Sequence, residues 1–284
     1  LRYYSEALKG FLEVEPSSKK LKPYVQYRIG KMYCYGSGTE QNYQKAFEWF
    51  ERSAKQKNKF AQFSLANLYY YGNGVEKDLP QAFLWYQRSS AQGQPYASYA
   101  VAQMYSKGEY VTENEDTAQR YYKAALSGFL NLERKEQADD NLFYKIGMMY
   151  KNGLGTDTDI SKAIDYFQRS ADNKWSSYQL GKLYLFGADG LEKDKGKAIR
   201  WLTKSADDGN EYAKKLLDNM ERFEDVLLAN TIFGLLANLS RCIEDDYTQK
   251  YKLVKRTVDS RLRRMIHRKK QSLGMKEDFS QSFE

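Results

Sequence analysis

The sequence is poor in the residues that most catalytic and metal sites require. Its 284 residues include one histidine, His267, and two cysteines, Cys34 and Cys242. The histidine lies in a run of Lys and Arg with no other His or Cys nearby, which argues against a zinc site and a Ser-His-Asp triad. Two cysteines are too few for a secreted disulfide framework, so we expect a reducing, cytoplasmic location. We expect no catalytic residues, no metal and no cofactor, and therefore no enzyme, in this chain.

Prolines and long apolar runs are also scarce. There are four prolines, and no run of about 18 apolar residues that would span a membrane. The chain starts at Leu1 without Met and without an apolar signal segment. Apolar residues make up 42% of the composition and aromatic residues 15%. This is enough to bury a core, and it argues against general disorder.

The positive charge is concentrated in one segment. The formal net charge of the whole chain is +8. Between Lys250 and Lys276 there are eleven Lys or Arg residues and one acid, Asp259, which gives +10 for that segment and −2 for everything else. The basic character therefore belongs to the C-terminal part of the chain.

The chain does contain an internal repeat. Tyr33–Gly38 matches Tyr69–Gly74 at a spacing of 36 residues, and Ala46–Phe50 matches Ala82–Tyr86 at the same spacing. Five copies with the same order of Tyr, Gly and Ala indicate a repeat architecture. The other three copies have their glycine-containing connections at Gly108, Gly153–Gly155 and Gly187–Gly190.

Each copy has the apolar spacing of two helices. Ile29, Met32 and Tyr33 fall at i, i+3 and i+4 in the first half, and Ala46–Ala54 contains a stripe of the same kind in the second half. A single hairpin cannot bury both stripes, whereas stacked neighbours do. We therefore predict an all-α array of helical hairpins.

Glycines have two different roles in this prediction. Gly36 and Gly38 end the first helix, because glycine reaches positive φ at little cost. Gly30, Gly147 and Gly181 lie inside first helices, where the missing side chain lets two helices approach closely. They are not phosphate-binding loops, because no strand precedes them and neither a third glycine nor a Gly-Lys-Ser ending follows.

The repeat resembles the Sel1-like repeat, which has Leu-Gly in its first helix, Gly-x-Gly between the helices and an aromatic pair in its second helix. The resemblance implies a right-handed α/α superhelix, similar to tetratricopeptide arrays, over residues 24–220 in about five repeats. Tetratricopeptide repeats are the nearest alternative, but their period is about 34 and they lack the Gly-x-Gly. The second copy matches the Sel1-like pattern at Leu65, Tyr69, Gly72, Gly74, Val75, Asp78, Ala82, Trp85, Tyr86 and Gly93.

The third copy departs from this pattern. Gly108 is followed by Glu109-Tyr110, so the second glycine of the Gly-x-Gly is missing. We expect an irregular connection between the two helices of this repeat.

The two ends of the chain differ from the repeats. Arg2–Leu12 resembles Arg120–Leu130, the second helix of the third repeat, so we expect residues 1–23 to be a second helix and its connecting turn. The chain then opens inside a repeat, as a fragment of a longer protein would. Residues 221–284 are expected to form a helical cap, in which a basic amphipathic helix runs from Asp246 to about Ser272.

Aromatic residues allow two interpretations. Trp49, Trp85 and Trp201, with Phe50 and Tyr86, occupy core positions of the repeat pattern, so packing is their expected role. Solenoids bind extended partners on their concave surface, where aromatic residues are frequent anchors. The candidate groove aromatics, near the ends of first helices, are Tyr35, Tyr70, Tyr71 and Phe186.

The basic helix is the second candidate site. Its Lys and Arg side chains suit the phosphates of DNA, an anionic membrane surface or an acidic partner. The alternative is a basic face that contacts only solvent. The candidate contact residues are Lys255, Arg256, Arg261, Arg263, Arg264, Arg268, Lys269 and Lys270.

The segment from Phe233 to Gly274 resembles the C-terminal end of mobilisation relaxases of Gram-positive conjugative elements. This resemblance implies a non-catalytic part of a relaxase or related conjugation protein, which binds protein partners in its groove and DNA through the basic helix. Since there is one histidine, the metal-dependent nicking apparatus of such proteins would lie upstream. The alternative is a free-standing Sel1-type adaptor in signalling or envelope assembly, with no nucleic acid. Neither reading includes a small-molecule substrate.

Overall fold

The computed structural model describes residues 2–17, 21–136 and 138–222, which form α-helices joined by short connections. These residues contain no β-strand; the closest approach to one is a bridge between Ala188 and Leu191. The helices are α1 (Arg2–Val14), α2 (Lys22–Tyr35), α3 (Tyr43–Lys55), α4 (Lys59–Tyr71), α5 (Leu79–Ala91), α6 (Pro95–Lys107), α7 (Glu115–Arg134), α8 (Asp140–Asn152), α9 (Ile160–Arg169), α10 (Lys174–Phe186), α11 (Lys195–Asp207) and α12 (Glu211–Arg222).

The helices pack in sequence order as a row of hairpins. The first helices of the repeats, α2, α4, α6, α8 and α10, each pack most extensively on the helix that follows. These second helices, α3, α5, α7, α9 and α11, then pack on the first helix of the next repeat. Each second helix is thus covered on two sides, which is how the stack buries both apolar stripes.

Every second helix from α3 onward begins with the same kind of cap. The side-chain oxygen of an Asn or Asp accepts a hydrogen bond from the backbone N–H three residues later, which satisfies one of the unpaired donors at the helix start. Such a cap contributes about 1 kcal/mol. The capping residues are Asn42, Asp78, Asn114, Asp159 and Asp194.

The glycines inside the first helices mark close helix contacts, as the sequence predicts. A Cβ on Gly30 would lie 2.6 Å from the Phe50 ring, and a Cβ on Gly147 would lie 2.7 Å from the Phe167 ring. Both rings are fully buried. Since even one methyl group has no room there, the first and second helices of these repeats meet at glycine.

The expected packing role of the three consensus tryptophans is confirmed, although the three rings are not equally covered. Trp85 is buried, whereas Trp49 and Trp201 are half-buried and pack against the core. The guanidinium of Arg52 lies 4.8 Å from the centre of the Trp49 ring, and that of Arg88 lies 4.6 Å from the Trp85 ring. One ring face therefore packs on the array, while a cation from the next helical turn covers the outer part.

The connection in the third repeat is regular, contrary to the expectation from its missing glycine. Tyr110 takes the place of that glycine with a φ of 68°, close to the 71° of Gly74. The N–H of Asn114 donates to the Tyr105 carbonyl at 3.0 Å, as the equivalent pair does in the second repeat. Tyr110 keeps this left-handed conformation while its ring contacts that of Phe83, 5.6 Å away. Hydrogen bonds and packing thus compensate the cost of a left-handed tyrosine.

Helix α7 is longer than its counterparts and joins the third repeat to the fourth. It has 20 residues, against 13 in α3, α5 and α11. Its additional turns bury Phe129 and bring Glu133 to α9. There Glu133 accepts a hydrogen bond from the Tyr166 hydroxyl at 2.8 Å and pairs with Arg169 at 2.6 Å.

The described helices end at Arg222. The predicted C-terminal cap, apart from its first two residues, lies outside the described residues. So do all eight candidate basic contact residues, from Lys255 to Lys270.

Gly74 provides a test of how tightly the repeats stack. Gly74 and Gly93 have nearly equal φ angles, 71° and 70°, but a Cβ on Gly74 would overlap the backbone of Tyr43, whereas a Cβ on Gly93 has no atom within 4 Å. We expect Gly93→Ala to cost about 1 kcal/mol from backbone strain, and Gly74→Ala to cost at least about 1 kcal/mol more. Thermal unfolding of both variants measures the difference. Equal losses would show that stacking leaves room at Gly74.

Candidate binding surface

The first helices leave one face outside the core. In α4 the side chains of Ala61, Leu65 and Leu68 are buried, whereas Phe60 and Tyr71 are exposed. Residues 60, 63, 67 and 71 follow the helical spacing and share a second face, beside that core. We call this face of α2, α4, α6, α8 and α10 the first-helix surface.

An aromatic residue occupies the same position on this surface in every repeat. The rings make contacts between repeats. Tyr27 stacks on Phe60 of the next first helix with ring centres 5.8 Å apart, and the ring centres of Phe63 and Tyr96 are 6.1 Å apart. Aromatic pairs of this kind contribute about 0.5–1.5 kcal/mol each. Sequence analysis did not single out this position, although the 36-residue spacing of its first three members was a signal for it. The members of this aromatic column are Tyr27, Phe63, Tyr99, Tyr144 and Tyr178.

The column also rests on the second helices. The ring centres of Tyr27 and Phe50 are 6.0 Å apart, and those of Phe63 and Tyr86 are 5.8 Å apart. Burial raises the pKa of Tyr27 to about 12, so its hydroxyl stays neutral at physiological pH. The aromatic column therefore packs on the core and also forms part of the first-helix surface.

The four candidate groove aromatics all lie at or next to the ends of first helices. Tyr35, Tyr71 and Phe186 are the last residues of α2, α4 and α10. Tyr35 is 68% exposed and Tyr71 46% exposed, while Phe186 is half-buried. Tyr70 and Tyr71 are brought together, with ring centres 4.9 Å apart. Tyr35 and Phe186 occupy the position of Tyr71 in the first and fifth repeats.

Tyr70 is held in place by polar contacts. Its hydroxyl donates to a Glu109 carboxylate oxygen at 2.7 Å, across the boundary between the second and third repeats. Next to it, the buried Tyr86 hydroxyl donates to the Asn67 side-chain oxygen at 2.6 Å. Burial raises the pKa of Tyr86 well above its usual value. Tyr70 is therefore a fixed part of the surface, and Tyr71 is the more accessible ring beside it.

The first helices are almost free of acidic residues. Their sequences contain nine Lys or Arg residues and one acid, Asp140, which lies in the first turn of α8. Six of these cations lie over aromatic rings, an arrangement that stabilises a positive charge without neutralising it. The six are Arg28, Lys31, Lys59, Lys145, Lys174 and Lys182.

Lys145 has the closest of these ring contacts. Its Nζ lies 4.3 Å from the centre of the Tyr99 ring, across the junction between the third and fourth repeats. Desolvation lowers the pKa of this amine to about 8. No carboxylate among the described residues forms an ion pair with it. Among the described residues, the positive charge of Lys145 is thus partly buried and lies over a ring face.

The part of the chain that the structure describes has no group of three or more His, Cys, Asp or Glu side chains arranged to hold a metal ion. None of the helices described there is both long and apolar enough to cross a bilayer.

Comparisons with known proteins agree with the repeat architecture. The family model described as the Sel1 repeat matches residues 23–58, 59–94, 95–128, 144–174 and 176–210. The Sel1-repeat-containing protein YjcO of Escherichia coli K12 is 32% identical over 108 residues, which cover 35% of this chain and 46% of that protein. The chain therefore spans about half the length of this relative.

A Sel1 repeat protein from Oxalobacter formigenes has a similar crystal structure. It is 26% identical, with a TM-score of 0.54, and the match covers 75% of this chain and 89% of that one. The expected fold class, an all-α superhelix of Sel1-like repeats, is confirmed. Since the five matched segments make up more than half of the sequence, the chain belongs to the Sel1 repeat family.

Proposed function

We propose that this chain is a protein-interaction scaffold whose first-helix surface binds an extended segment of a protein partner. Sel1 repeat proteins typically act as scaffolds of this kind, and the repeat fold is generally non-catalytic. The observation that carries the proposal is the set of exposed rings at repeated positions on one face. Large aromatic residues supply most of the binding energy in protein interfaces.

The two sets of helices differ in what they expose. In the five first helices the exposed large apolar side chains are all aromatic, with Tyr35 and Tyr71 among them. In the five second helices they are aliphatic and only slightly exposed, Leu84 at 37% and Ile199 at 39%. Second helices also carry local ion pairs, such as Lys55 with Glu51 at 2.9 Å. These contrasts favour the first-helix surface as the partner site.

A conjugation context is the finer form of this proposal. The C-terminal segment resembles the end of mobilisation relaxases, and the charge of +10 between Lys250 and Lys276 suits a DNA backbone. In this form the chain is a non-catalytic, cytoplasmic part of a conjugation protein, binding protein with its repeats and DNA with its basic segment. The competing form is an adaptor in signalling or envelope assembly that binds protein alone.

The exposed rings provide the first test. Short peptides that bind the immobilised full chain, selected from a random displayed library, serve as probes. We expect the double variant Tyr35→Ala, Tyr71→Ala to bind them at least about tenfold more weakly, equivalent to about 1.4 kcal/mol, because aromatic anchors are lost. Fluorescence anisotropy measures the affinities.

The double variant Leu84→Ala, Ile199→Ala is the matched control, since it removes two exposed apolar side chains from second helices. It should bind like the wild type. If the control loses affinity and the tyrosine variant does not, the partner site lies on the second helices and the proposal is wrong.

A DNA titration tests the conjugation context. We expect binding of duplex DNA by the full chain at low salt, with an affinity that falls steeply as salt rises, because phosphate contacts release counterions. Changing Arg263, Arg264, Lys269 and Lys270 to Ala should abolish it, whereas the Tyr35, Tyr71 variant should bind DNA normally. Absence of binding at low salt would contradict the DNA-binding form and leave the adaptor.

A further inference from the structure

We propose that the first-helix surface binds an acidic peptide segment, and that the ammonium group of Lys145, seated on the Tyr99 ring, receives one of its carboxylates. This inference rests on the proposed function and names the chemical class of the partner at that surface.

The two sets of helices differ in their acidic residues. The second helices carry thirteen Lys or Arg and seven Asp or Glu, so both signs are mixed there. The first helices carry nine Lys or Arg residues and one acidic residue. A surface that is aromatic and positive complements a segment that is apolar and negative. The overall charge of the repeat region hides this pattern, because acids elsewhere offset it.

Lys145 stands where the aromatic column changes. The ring of Phe60 or Tyr96 packs on the column at the first two junctions between repeats, but Asn141 stands at the equivalent position in α8. At this junction the Lys145 amine lies over the face of the Tyr99 ring. The charge is partly desolvated and has no acid to pair with among the described residues. A ligand carboxylate would supply the missing partner.

The spacing of the cations suits a peptide better than a nucleic acid. Adjacent packed helices lie about 10 Å apart, and an extended chain advances by about 3.3 Å per residue, so a peptide crosses one first helix about every three residues. The cations Lys145 and Lys182 lie on successive first helices, each beside a ring of the aromatic column. Apolar residues between carboxylates then meet rings. A nucleic-acid backbone would need denser positive charge.

The test uses three peptide pools of one length that share the same aromatic and aliphatic positions. The remaining positions are Asp and Glu in the first pool, Asn and Gln in the second, and Lys and Arg in the third. Binding to the full chain is measured by anisotropy. We expect the acidic pool to bind most tightly, and Lys145→Met to weaken it about tenfold. The neutral pool should be unaffected by that change.

Two control variants separate Lys145 from other positive charges. Lys195→Met removes an exposed cation from the second helix α11, and it should leave acidic-pool binding unchanged. The variant with Arg263, Arg264, Lys269 and Lys270 changed to Ala should also retain that binding. If binding of the acidic pool is lost only in this second variant, the peptide binds the basic segment and the inference is overturned.

A pH series gives a signature that a merely structural lysine would lack. The peptide carboxylates are ionised throughout, but Lys145 loses its proton as pH rises through its pKa of about 8. Affinity for the acidic pool should therefore fall about tenfold between pH 7 and pH 9.5. Lys145→Arg stays charged, so its affinity should be maintained and nearly flat over this range. The Lys145→Met variant should bind the acidic pool weakly, with an affinity that does not change over this pH range.

The Tyr122 hydroxyl, behind the Tyr99 ring, does not titrate in that range. On α6 the amine faces the Tyr99 ring, which packs on Tyr122 of α7 at 5.3 Å. Burial, followed by smaller contributions from Tyr99 and Glu115, raises the pKa of Tyr122 far above this range. Lys145→Met should keep or raise the melting temperature, because it removes a desolvated charge. Should that variant unfold, the pH series on the wild type and on Lys145→Arg still decides.

The outcomes separate this inference from the proposed function. If no pool binds, and the library-selected peptides ignore the Tyr35, Tyr71 variant, the partner site itself is wrong. If the neutral or basic pool binds as tightly as the acidic pool and depends on Tyr71, the scaffold proposal stands and the acidic specificity is wrong. If single-stranded nucleic acid binds more tightly than the acidic pool and depends on Lys145, the partner class is wrong.

Discussion

Each helical hairpin in this chain has an apolar face that only the next hairpin can cover. Second helices are enclosed between two first helices, and their fully buried side chains, such as Phe50 and Phe167, fill the space above Gly30 and Gly147. First helices are likewise packed between second helices, as α4 is between α3 and α5. Each set of helices therefore buries one face in the array and leaves another face, aromatic in the first helices, outside it.

The same constraint explains why the partner surface has its particular residues. A ring at the edge of the core packs on its neighbours and still presents one side outward, which a smaller aliphatic side chain does less well. The aromatic column uses this property, with Tyr27 and Phe63 joining successive repeats. At the junction between the third and fourth repeats, where Asn141 stands in the position of Phe60 and Tyr96, the Lys145 amine lies over the Tyr99 ring. The chemistry of the surface therefore changes at this point.

Much of the fold follows from sequence spacing alone. The 36-residue period, the 3-4 apolar stripes and the internal glycines predicted the hairpins and their close contacts, since these patterns have one packing solution. The third connection was mispredicted because hydrogen bonds and ring contacts keep Tyr110 in a conformation that usually selects glycine. Periodicity also predicted that Trp49 packs on the core, but it does not reveal that part of the ring stays exposed. The contact of Lys145 with Tyr99 joins α8 to α6, and the residue spacing within one repeat does not reveal a contact between two repeats.

The central claim is that a partner lies along the first helices. Hydroxyl-radical footprinting of the full chain, with and without bound acidic peptide, tests it most directly because exposed aromatic and aliphatic side chains report on both sets of helices. The account predicts protection of Tyr35, Phe60 and Tyr71, and unchanged oxidation of Leu84 and Ile199. Protection of Leu84 and Ile199 with unchanged tyrosines would contradict it.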